Sequence, residues 1–388
     1  MSDGHETPPG WSAEQPPPYR APGSPYSGGG PDPSAWQQPV PPPPPYGQQG
    51  YGYMPPPALR PGIIPLRPLG LGDIYDGTIK LIRSNPKAVL GLSAIVAAVA
   101  AVPVSIGQAL TLSSIGDLLD DPTAQPAAME GGFVTQYLPT IISSVVSLAA
   151  VTILTGILIR ILGRAVFGGK ITAGEAWRLV ASRVPALFGV FFLVLGLILV
   201  PAIPMAVIFY AAASSGEPLA ALGLGLLFML FYIGYALFIN TRFALAAPAV
   251  VLEGLGPVQA MRRSWRLVGG DFWRVFGILV LTMIIAWLVS MIISFPFGLI
   301  AGIVSVFGEG STGATIAVAV VLAIGTTLGA MITYPLQAGV AGLLYTDRRM
   351  RSEAFDLVLQ TAALEQQRQG WVHATADELW HPSNARRP

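Results

Sequence analysis

A short polar cluster ends the fourth long apolar stretch of this sequence. Asn240, Thr241 and Arg242 follow residues 219–239 and precede a second apolar stretch, residues 243–252. A charge inside hydrocarbon is costly and commonly functional, so Arg242 is a candidate for binding an anion such as a lipid phosphate. In the alternative interpretation, Arg242 extends to the cytoplasmic headgroups while residues 243–252 lie along the membrane interface. Counting of spans favours this alternative, because residues 219–239 are already long enough to cross the bilayer.

Three arginines form a second basic cluster. Arg262, Arg263 and Arg266 lie beside Trp265 and Trp273. Guanidinium groups suit phosphates and tryptophan suits the headgroup layer. The cluster therefore predicts either general anchoring at the membrane surface or a specific lipid site. With the first cluster, these residues make up our candidate site for a lipid or another anion: Asn240, Arg242, Arg262, Arg263 and Arg266.

Acidic residues offer fewer chemical possibilities. Asp117, Asp120 and Asp121 lack the ligand spacing of a calcium loop, so we interpret them as part of a solvated loop. Glu253 lies near Arg262 in the sequence, and we expect these two residues to form a structural ion pair.

The sequence lacks the residues that several classes of chemistry require. There is no cysteine among the 388 residues, which excludes disulfides, thiol nucleophiles and cysteine-bound metals. The three histidines, His5, His373 and His381, lie in the terminal segments. No phosphate-binding loop, nucleophile elbow or carboxylate pair in a plausible cleft is visible. We therefore expect no catalytic residue, no metal, no cofactor and no nucleic-acid partner.

Six apolar stretches surround these candidates and must position them. Each stretch reaches the ~17–25 residues that a helix needs to cross a hydrocarbon core. Hydrophobic residues make up 52% of the chain and charged residues only 11%, whereas soluble domains are ~25% charged. We predict transmembrane helices at residues 89–112, 138–162, 186–212, 219–239, 272–300 and 315–344.

Charge is distributed unevenly between the linkers. The linkers after the first, third and fifth stretches contain acids, while all 22 Lys and Arg residues lie in other parts of the chain. Cytoplasmic loops retain Lys and Arg, and translocated loops lack them. We therefore predict a multi-pass protein of the bacterial inner membrane with both termini in the cytoplasm.

A similar segment precedes the first, third and fifth stretches. Residues 71–92, 171–191 and 256–279 each combine a short amphipathic pattern, a break and the start of a span. Apolar positions such as Ile79 and Leu179 suit one helical face, which we expect to face lipid in the headgroup layer. Residues 345–359 resemble the start of a fourth such helix.

The predicted fold class is therefore an all-α polytopic membrane protein. Its six transmembrane helices form three hairpins, each preceded by a cytoplasmic amphipathic interfacial helix. Pro201 and Pro204 remove backbone donors from the third span and predict a kink there. Two GxxxG spacings, at residues 298–302 and 325–329, are weak signals of close helix packing.

Three regions follow from these patterns. Residues 1–62 form a Pro-, Gly- and Tyr-rich tail that we expect to be disordered, because it has few aliphatic residues to bury. Residues 63–350 form the membrane domain, and residues 351–388 form a cytoplasmic, partly helical tail. The run PPPPPY at residues 41–46 is either part of a solvated spacer or a ligand for an aromatic groove on a protein partner. The expected partners are thus membrane lipids and a protein bound through the Pro-rich tail.

One segment resembles a known family. Residues 242–277, RFALAAPAVVLEGLGPVQAMRRSWRLVGGDFWRVFG, are similar to a signature of the bacterial glycerophosphoryl diester phosphodiesterase membrane-domain family. Residues 69–91 and 345–357 fit the same family, so the resemblance covers roughly residues 65–359. Some members of that family carry a cytoplasmic phosphodiesterase barrel, which needs ~250 residues. The short segment after the sixth span has no room for such a barrel, so the resemblance implies the membrane domain alone.

These observations lead to an expected function without catalysis. We expect a membrane scaffold or accessory subunit that recruits an enzyme through its tails. A lipid or small-molecule transporter is the alternative, since the kinked third span lies near Asn240 and Arg242 in the predicted fold. An enzyme acting on a phospholipid headgroup ranks last, because the spans offer almost no positioned titratable group.

Overall fold

The described part of the protein is built from α-helices. The computed structural model describes residues 62–120, 133–214, 218–308, 311–369 and 379–380. Twelve helices make up these ranges: α1 (Leu71–Ser84), α2 (Pro86–Asp120), α3 (Phe133–Ala165), α4 (Ala173–Ala181), α5 (Val184–Leu199), α6 (Ala202–Ser214), α7 (Pro218–Phe243), α8 (Ala246–Glu253), α9 (Pro257–Gly269), α10 (Phe272–Phe307), α11 (Thr312–Glu353) and α12 (Phe355–Gln369).

Long apolar helices identify this protein as an all-α polytopic membrane protein. Within the described ranges, five helical segments are long and apolar enough to span a membrane: Val145–Ala165, Val184–Ala212, Leu222–Glu253, Phe272–Phe307 and Thr312–Glu353. A sixth is present if α1 and the first part of α2, which meet at 92°, count as one bent span. The predicted fold class is confirmed, because such helices satisfy their backbone hydrogen bonds internally and can therefore cross hydrocarbon.

The spans pair as three hairpins. Helix α2 packs on α3, helices α5 and α6 pack on α7, and α10 packs on α11. Helix α11 also packs along α2, so the first and third hairpins share a long interface. The second hairpin contacts the others mainly through α3 and α10.

Small residues bring α10 and α11 together at one of the two GxxxG spacings. A Cβ added at Gly325 would lie 2.8 Å from Phe297, and one added at Gly329 would lie 2.8 Å from Ser290 Oγ. The glycines at 298 and 302 have no heavy atom within 4 Å of such a Cβ. Only the spacing at residues 325–329 therefore permits a close approach between helices.

The predicted kink in the third span is an interruption of two residues in an otherwise continuous helical segment. Helix α5 ends at Leu199, and α6 begins at Ala202. The N–H of Val200 still donates to Gly196 O at 2.9 Å, but Pro201 has no N–H with which to continue the helix. The proline therefore divides this span into two helices.

Three short amphipathic helices, α1, α4 and α9, precede the three hairpins as predicted. Their buried faces pack on the spans, whereas other apolar positions on the same helices stay exposed. A Cβ at Gly77 in α1 would lie 2.7 Å from Leu343 in α11, so the two helices are in close contact. Ile79 and Leu179, which we expected on the apolar faces, are exposed at 49% and 38%.

The apolar stretch after Arg242 is buried in the protein. The alternative interpretation placed residues 243–252 along the membrane interface. Instead, all but one residue of α8 are buried, and the helix packs against α3, α5 and α9. Its apolar sequence is explained by contact with protein on all sides, a setting that sequence alone does not distinguish from an interfacial one.

The charged segment after the sixth span continues α11 instead of starting a new helix. The helix runs to Glu353, and the chain then turns at Ala354, whose φ of 53° lies in the left-handed region. Helix α12 begins directly afterwards at Phe355. The expected fourth interfacial helix therefore starts ten positions later than residue 345.

Candidate functional site

Arg242 lies in an aromatic cage at the end of α7. Its guanidinium carbon is 4.5 Å from the ring centroid of Trp265, 5.2 Å from that of Phe272 and 5.3 Å from that of Phe238. A cation over aromatic faces is attracted by the negative charge of each ring face, with Arg–Trp pairs among the strongest. The rings come from α7, α9 and α10, so the cage requires all three helices.

The backbone beside Arg242 is held by a serine from α9. Ser264 Oγ donates to the carbonyl of Arg242 at 2.7 Å and accepts from the N–H of Leu245 at 3.2 Å. These bonds satisfy backbone groups exposed where α7 ends and α8 begins. The Nε of Arg242 is buried without a hydrogen-bond partner among the described residues.

Asn240 does not join this cage. It is exposed, whereas Arg242 is half-buried. Residues two positions apart on a helix point to different sides, which explains the separation. The structure therefore splits the first predicted cluster.

The second predicted cluster is also split. Arg262 and Arg266 are exposed on α9, whereas Arg263 is half-buried. Arg263 Nε and Nη2 donate to Glu253 at 3.1 and 2.9 Å, and Nη1 and Nη2 donate to Glu353. The predicted pair of Glu253 with Arg262 is wrong, because position 263 and not position 262 faces α8 and α11. Arg263 is occupied by carboxylates and is not available to a lipid.

Glu253 lies at the centre of a buried ion-pair network. Its side chain is fully buried, and it accepts from both Arg263 and the hydroxyl of Tyr345. Arg349, also fully buried, reaches Glu253 at 3.4 Å and donates to Glu353 at 3.1 Å. Residues of α8, α9 and α11 are therefore joined by charge-assisted hydrogen bonds.

The C-terminal segment contacts this network at Arg349. Arg349 Nη1 donates to the carbonyl of Trp380 at 3.1 Å, and its guanidinium lies over the ring of Phe355 at 4.1 Å. Trp380 is buried and packs edge-on against Phe167 with 5.8 Å between ring centroids. The buried arginine is thus bonded to the C-terminal segment through the backbone carbonyl of Trp380.

A second network attaches the N-terminal segment to α11. Asp347 accepts from the N–H of Leu69 at 2.8 Å, from Arg274 at 2.9 Å and from Arg351 at 2.9 Å. The carbonyl of Leu69 in turn accepts from Arg274 at 2.7 Å and from Arg351 at 3.0 Å. The N–H of Leu69 is therefore satisfied by Asp347, and its carbonyl is satisfied by Arg274 and Arg351.

Arg348 ties α11 to the turn between α9 and α10. Its Nε donates to the carbonyl of Leu267 at 2.9 Å, and its Nη1 donates to Asp271 at 2.9 Å. Together with the two networks above, this contact forms a layer that we call the arginine layer: Glu253, Arg263, Asp271, Arg274, Asp347, Arg348, Arg349, Arg351 and Glu353.

The arginine layer keeps its charges in fixed pairs. Burial disfavours the charged form of Arg263, but hydrogen bonds to Glu353 and Glu253 outweigh this effect and raise the pKa of Arg263 above its ordinary value. General acid–base catalysis requires a titratable group that can reach a substrate, whereas these carboxylates face arginines. Among the described residues, no group of three or more His, Cys, Asp or Glu could hold a metal ion.

Most of the arginine layer was missed in the sequence. From the sequence, residues 345–359 resemble the start of a fourth interfacial helix. Along α11, Asp347 forms an ion pair with Arg351, and Arg349 forms one with Glu353. The partners are four positions apart in each pair, so the sequence alone could have indicated these ion pairs. Neither spacing indicates that the segment is buried.

The helices and the arginine layer together define the class of this protein: an integral membrane protein whose spans are joined by a paired charged layer at one end of the bundle. Residues 76–346 match a family described as a domain of unknown function, DUF7847. The match covers well over half of the chain, so the chain belongs to that family. Comparison with curated proteins found no match, and comparison with solved structures found none.

Proposed function

We propose that this protein is a non-catalytic scaffold or accessory subunit of the bacterial inner membrane, with both termini in the cytoplasm. The observation that carries the proposal is the arginine layer. It joins residues of α8 to α11, and it also holds the segment before α1 and Trp380. A layer of this kind holds several chain segments in one arrangement, as a docking platform requires.

The energetics of buried ion pairs support a fixed platform. Removing one partner of a buried pair costs about 3–5 kcal/mol, because the other charge stays buried without compensation. Transporters of many folds work by moving one group of helices against another. Such a movement through the arginine layer would separate several of these pairs at once.

The distribution of charge supports the proposed orientation. All bases lie outside the linkers after the first, third and fifth spans, and retention of Lys and Arg is typical of cytoplasmic segments. The arginine layer would then face the cytoplasm, together with the Pro-rich tail. That tail lies outside the described residues.

The partner in this proposal is a protein that recognises the run PPPPPY at residues 41–46. Proline-rich segments adopt an extended helix that docks on grooves lined by aromatic side chains. The resemblance to the glycerophosphoryl diester phosphodiesterase membrane-domain family supports an enzyme of phosphodiester metabolism as this partner. The chain would then hold the enzyme at the membrane while supplying no catalytic group.

Native mass spectrometry of the full-length protein, extracted in nanodiscs from its own cells, tests this proposal. We expect a stoichiometric protein partner that is lost when residues 41–46 are replaced by a Gly/Ser sequence of equal length. The same replacement at residues 24–29 is the matched control and should retain the partner. Unchanged partner recovery after both replacements contradicts a tail-mediated scaffold, and phosphodiester turnover by the purified protein alone contradicts the non-catalytic role.

Lipid or small-molecule transport is the second candidate, because the broken span borders a cavity. The cavity between α6 and α7 has a volume of about 460 Å³ and an almost wholly apolar lining that includes Met205, Phe209, Gly225, Met229 and Tyr232. Its size and lining suit an acyl chain. Movement of a fluorescent phospholipid between leaflets of proteoliposomes, above the rate in protein-free liposomes, would favour transport over the scaffold.

A further inference from the structure

A second concave site lies apart from the arginine layer, where α3 ends and α4 begins. The cavity has a volume of about 540 Å³ and a mixed polar and apolar lining. Six residues line it: Arg164, Lys170, Ile171, Glu175, Arg178 and Leu179. None of them belongs to the clusters predicted from the sequence.

The cavity is positively charged. Three of its lining residues are bases and one is an acid, which leaves an excess of two positive charges. The acid, Glu175, accepts hydrogen bonds at 2.9 Å from both the N–H and the hydroxyl of Thr172. These hydrogen bonds cap α4 and, with the attraction of Arg178, lower the pKa of Glu175. The carboxylate is thus oriented by the helix end.

The bases at the mouth of the cavity remain available. Lys170 and Arg178 are exposed, and neither forms a salt bridge with any residue in the described ranges. Surface bases attract anionic groups by about 1 kcal/mol each near a membrane. A concave arrangement directs several such charges at one group.

The backbone of the site is held in place before any ligand binds. Asn85 Nδ2 donates to the carbonyl of Ile171 at 2.7 Å, which ties the loop to the junction of α1 and α2. Gly168 adopts a φ of 80°, and its N–H donates to the carbonyl of Ala165 at 2.9 Å. Preorganisation of this kind lowers the entropic cost of binding.

The surroundings indicate a position at the membrane surface. Trp177 and Leu179 on α4 are exposed at 43% and 38%, although both are apolar. Exposed tryptophan is typical of the headgroup layer, where its ring contacts lipid and its N–H meets water. An exposed tryptophan beside the cavity supports a position in the headgroup layer, where lipid phosphates lie.

We propose that this cavity binds a phosphate group, supplied either by the headgroup of an anionic phospholipid or by a soluble phosphate ester. Lys170 and Arg178 contact the phosphate oxygens from the mouth of the cavity, beside Arg164 in its wall. Guanidinium groups match phosphate geometry, and the lysine supplies a compact charge. The site does not depend on the scaffold role, because no residue of the arginine layer or of the tail takes part.

Retention of lipid by the full-length protein tests the site. The probe is phosphatidylglycerol, present as a minor component of phosphatidylcholine nanodiscs, and native mass spectrometry counts the bound copies. The test variant carries Lys170→Gln with Arg178→Gln. The matched control carries Arg83→Gln with Lys87→Gln, which removes the same charge from exposed positions outside the cavity. Equal thermal unfolding midpoints of the two variants show that both are folded.

We expect the test variant to retain at least about tenfold less phosphatidylglycerol, and the control to lose less than about threefold. Equal losses in both variants would show general surface attraction and would overturn the site. Binding of inorganic phosphate by calorimetry distinguishes the two sources. If phosphate binds and phosphatidylglycerol is not retained, the site takes a soluble phosphate ester. Absence of binding by both probes overturns the proposal.

Discussion

Arg262 and Arg263 are neighbours in the sequence but have different surroundings. Consecutive residues on a helix point about 100° apart, so one arginine faces solvent while the other faces α8 and α11. The guanidinium of Arg263 then meets two carboxylates, Glu253 and Glu353, that are separated by a hundred positions in the sequence. At the scale of single residues, direction on the helix decides whether a base is a surface charge or a part of the core.

This difference predicts unequal effects of the same substitution. Arg263→Gln leaves two acids in the interior with an incomplete set of partners, so we expect the free energy of unfolding to fall by about 3–5 kcal/mol. Arg262→Gln is the matched control, with an expected change within about 0.5 kcal/mol. Unfolding of the two variants in a detergent titration measures the effect. Similar stabilities would show that the arginine layer contributes little.

At the scale of elements, the amphipathic helices act as parts of the helix bundle. Helix α1 lies against α11 where both helices carry small residues. A Cβ at Gly339 would lie 2.6 Å from Thr78 Cγ2, so glycine permits this approach. Thr78 is fully buried, and its hydroxyl donates to the carbonyl of Ile74 at 2.8 Å. The polar group is thus satisfied within α1 while its methyl group contacts α11.

The close approach of α1 and α11 predicts sensitivity to one added methyl group. We expect Gly339→Ala to destabilise the protein by about 1–3 kcal/mol, because neighbouring atoms must move apart. Gly302→Ala is the control, since a Cβ there has no neighbour within 4 Å. It should be neutral or slightly stabilising, as alanine favours helix by about 1 kcal/mol over glycine. If Gly302→Ala destabilised the protein as much as Gly339→Ala, that result would argue against a specific α1–α11 contact.

At the scale of the whole molecule, the three hairpins share one orientation if the segments that carry the Lys and Arg residues all lie in the cytoplasm. The short helices α1, α4 and α9 each precede a hairpin, so all three lie at the same end of the bundle. The arginine layer forms among α8, α9 and α11 at this end. Protein-protein and lipid-phosphate binding, as we propose them, would both take place on the cytoplasmic side.

Cysteine labelling tests this orientation with little background, because the chain has no cysteine of its own. Ser182 follows α4, and Ser311 lies between α10 and α11; both are exposed. We expect Ser311→Cys to react with a membrane-impermeant maleimide on intact spheroplasts. We expect Ser182→Cys to react only after the membrane is permeabilised. The reverse pattern would place the bases outside and contradict the proposed topology.

Several features of the fold could be predicted from local sequence. Residues 272–300 and 315–344 are long and apolar, and the length of such a stretch alone predicts a span. The break at Pro201 follows from a missing backbone donor, which is also a local property. The helical period likewise predicts α1, α4 and α9, because amphipathicity is encoded within a few turns.

The candidate site could be predicted only in part. The sequence indicated that Arg242 lies at the end of a span, but its cage needs Trp265 and Phe272 from two other helices. It also indicated a basic α9 without showing which arginine would be buried. The cavity at Arg164, Lys170 and Arg178 forms only when the loop after α3 folds back beside α4.

The sequence by itself thus determined which segments cross the membrane and which are amphipathic, because apolar length and helical period are local. Only the tertiary structure decided which charges meet between helices. Arg263 of α9 donates to Glu353 of α11 across 90 positions, a pairing that no local pattern encodes. The physical reason is that burial makes such pairing obligatory: a charge packed among helices requires a partner, and the partner is set by the helices that surround it.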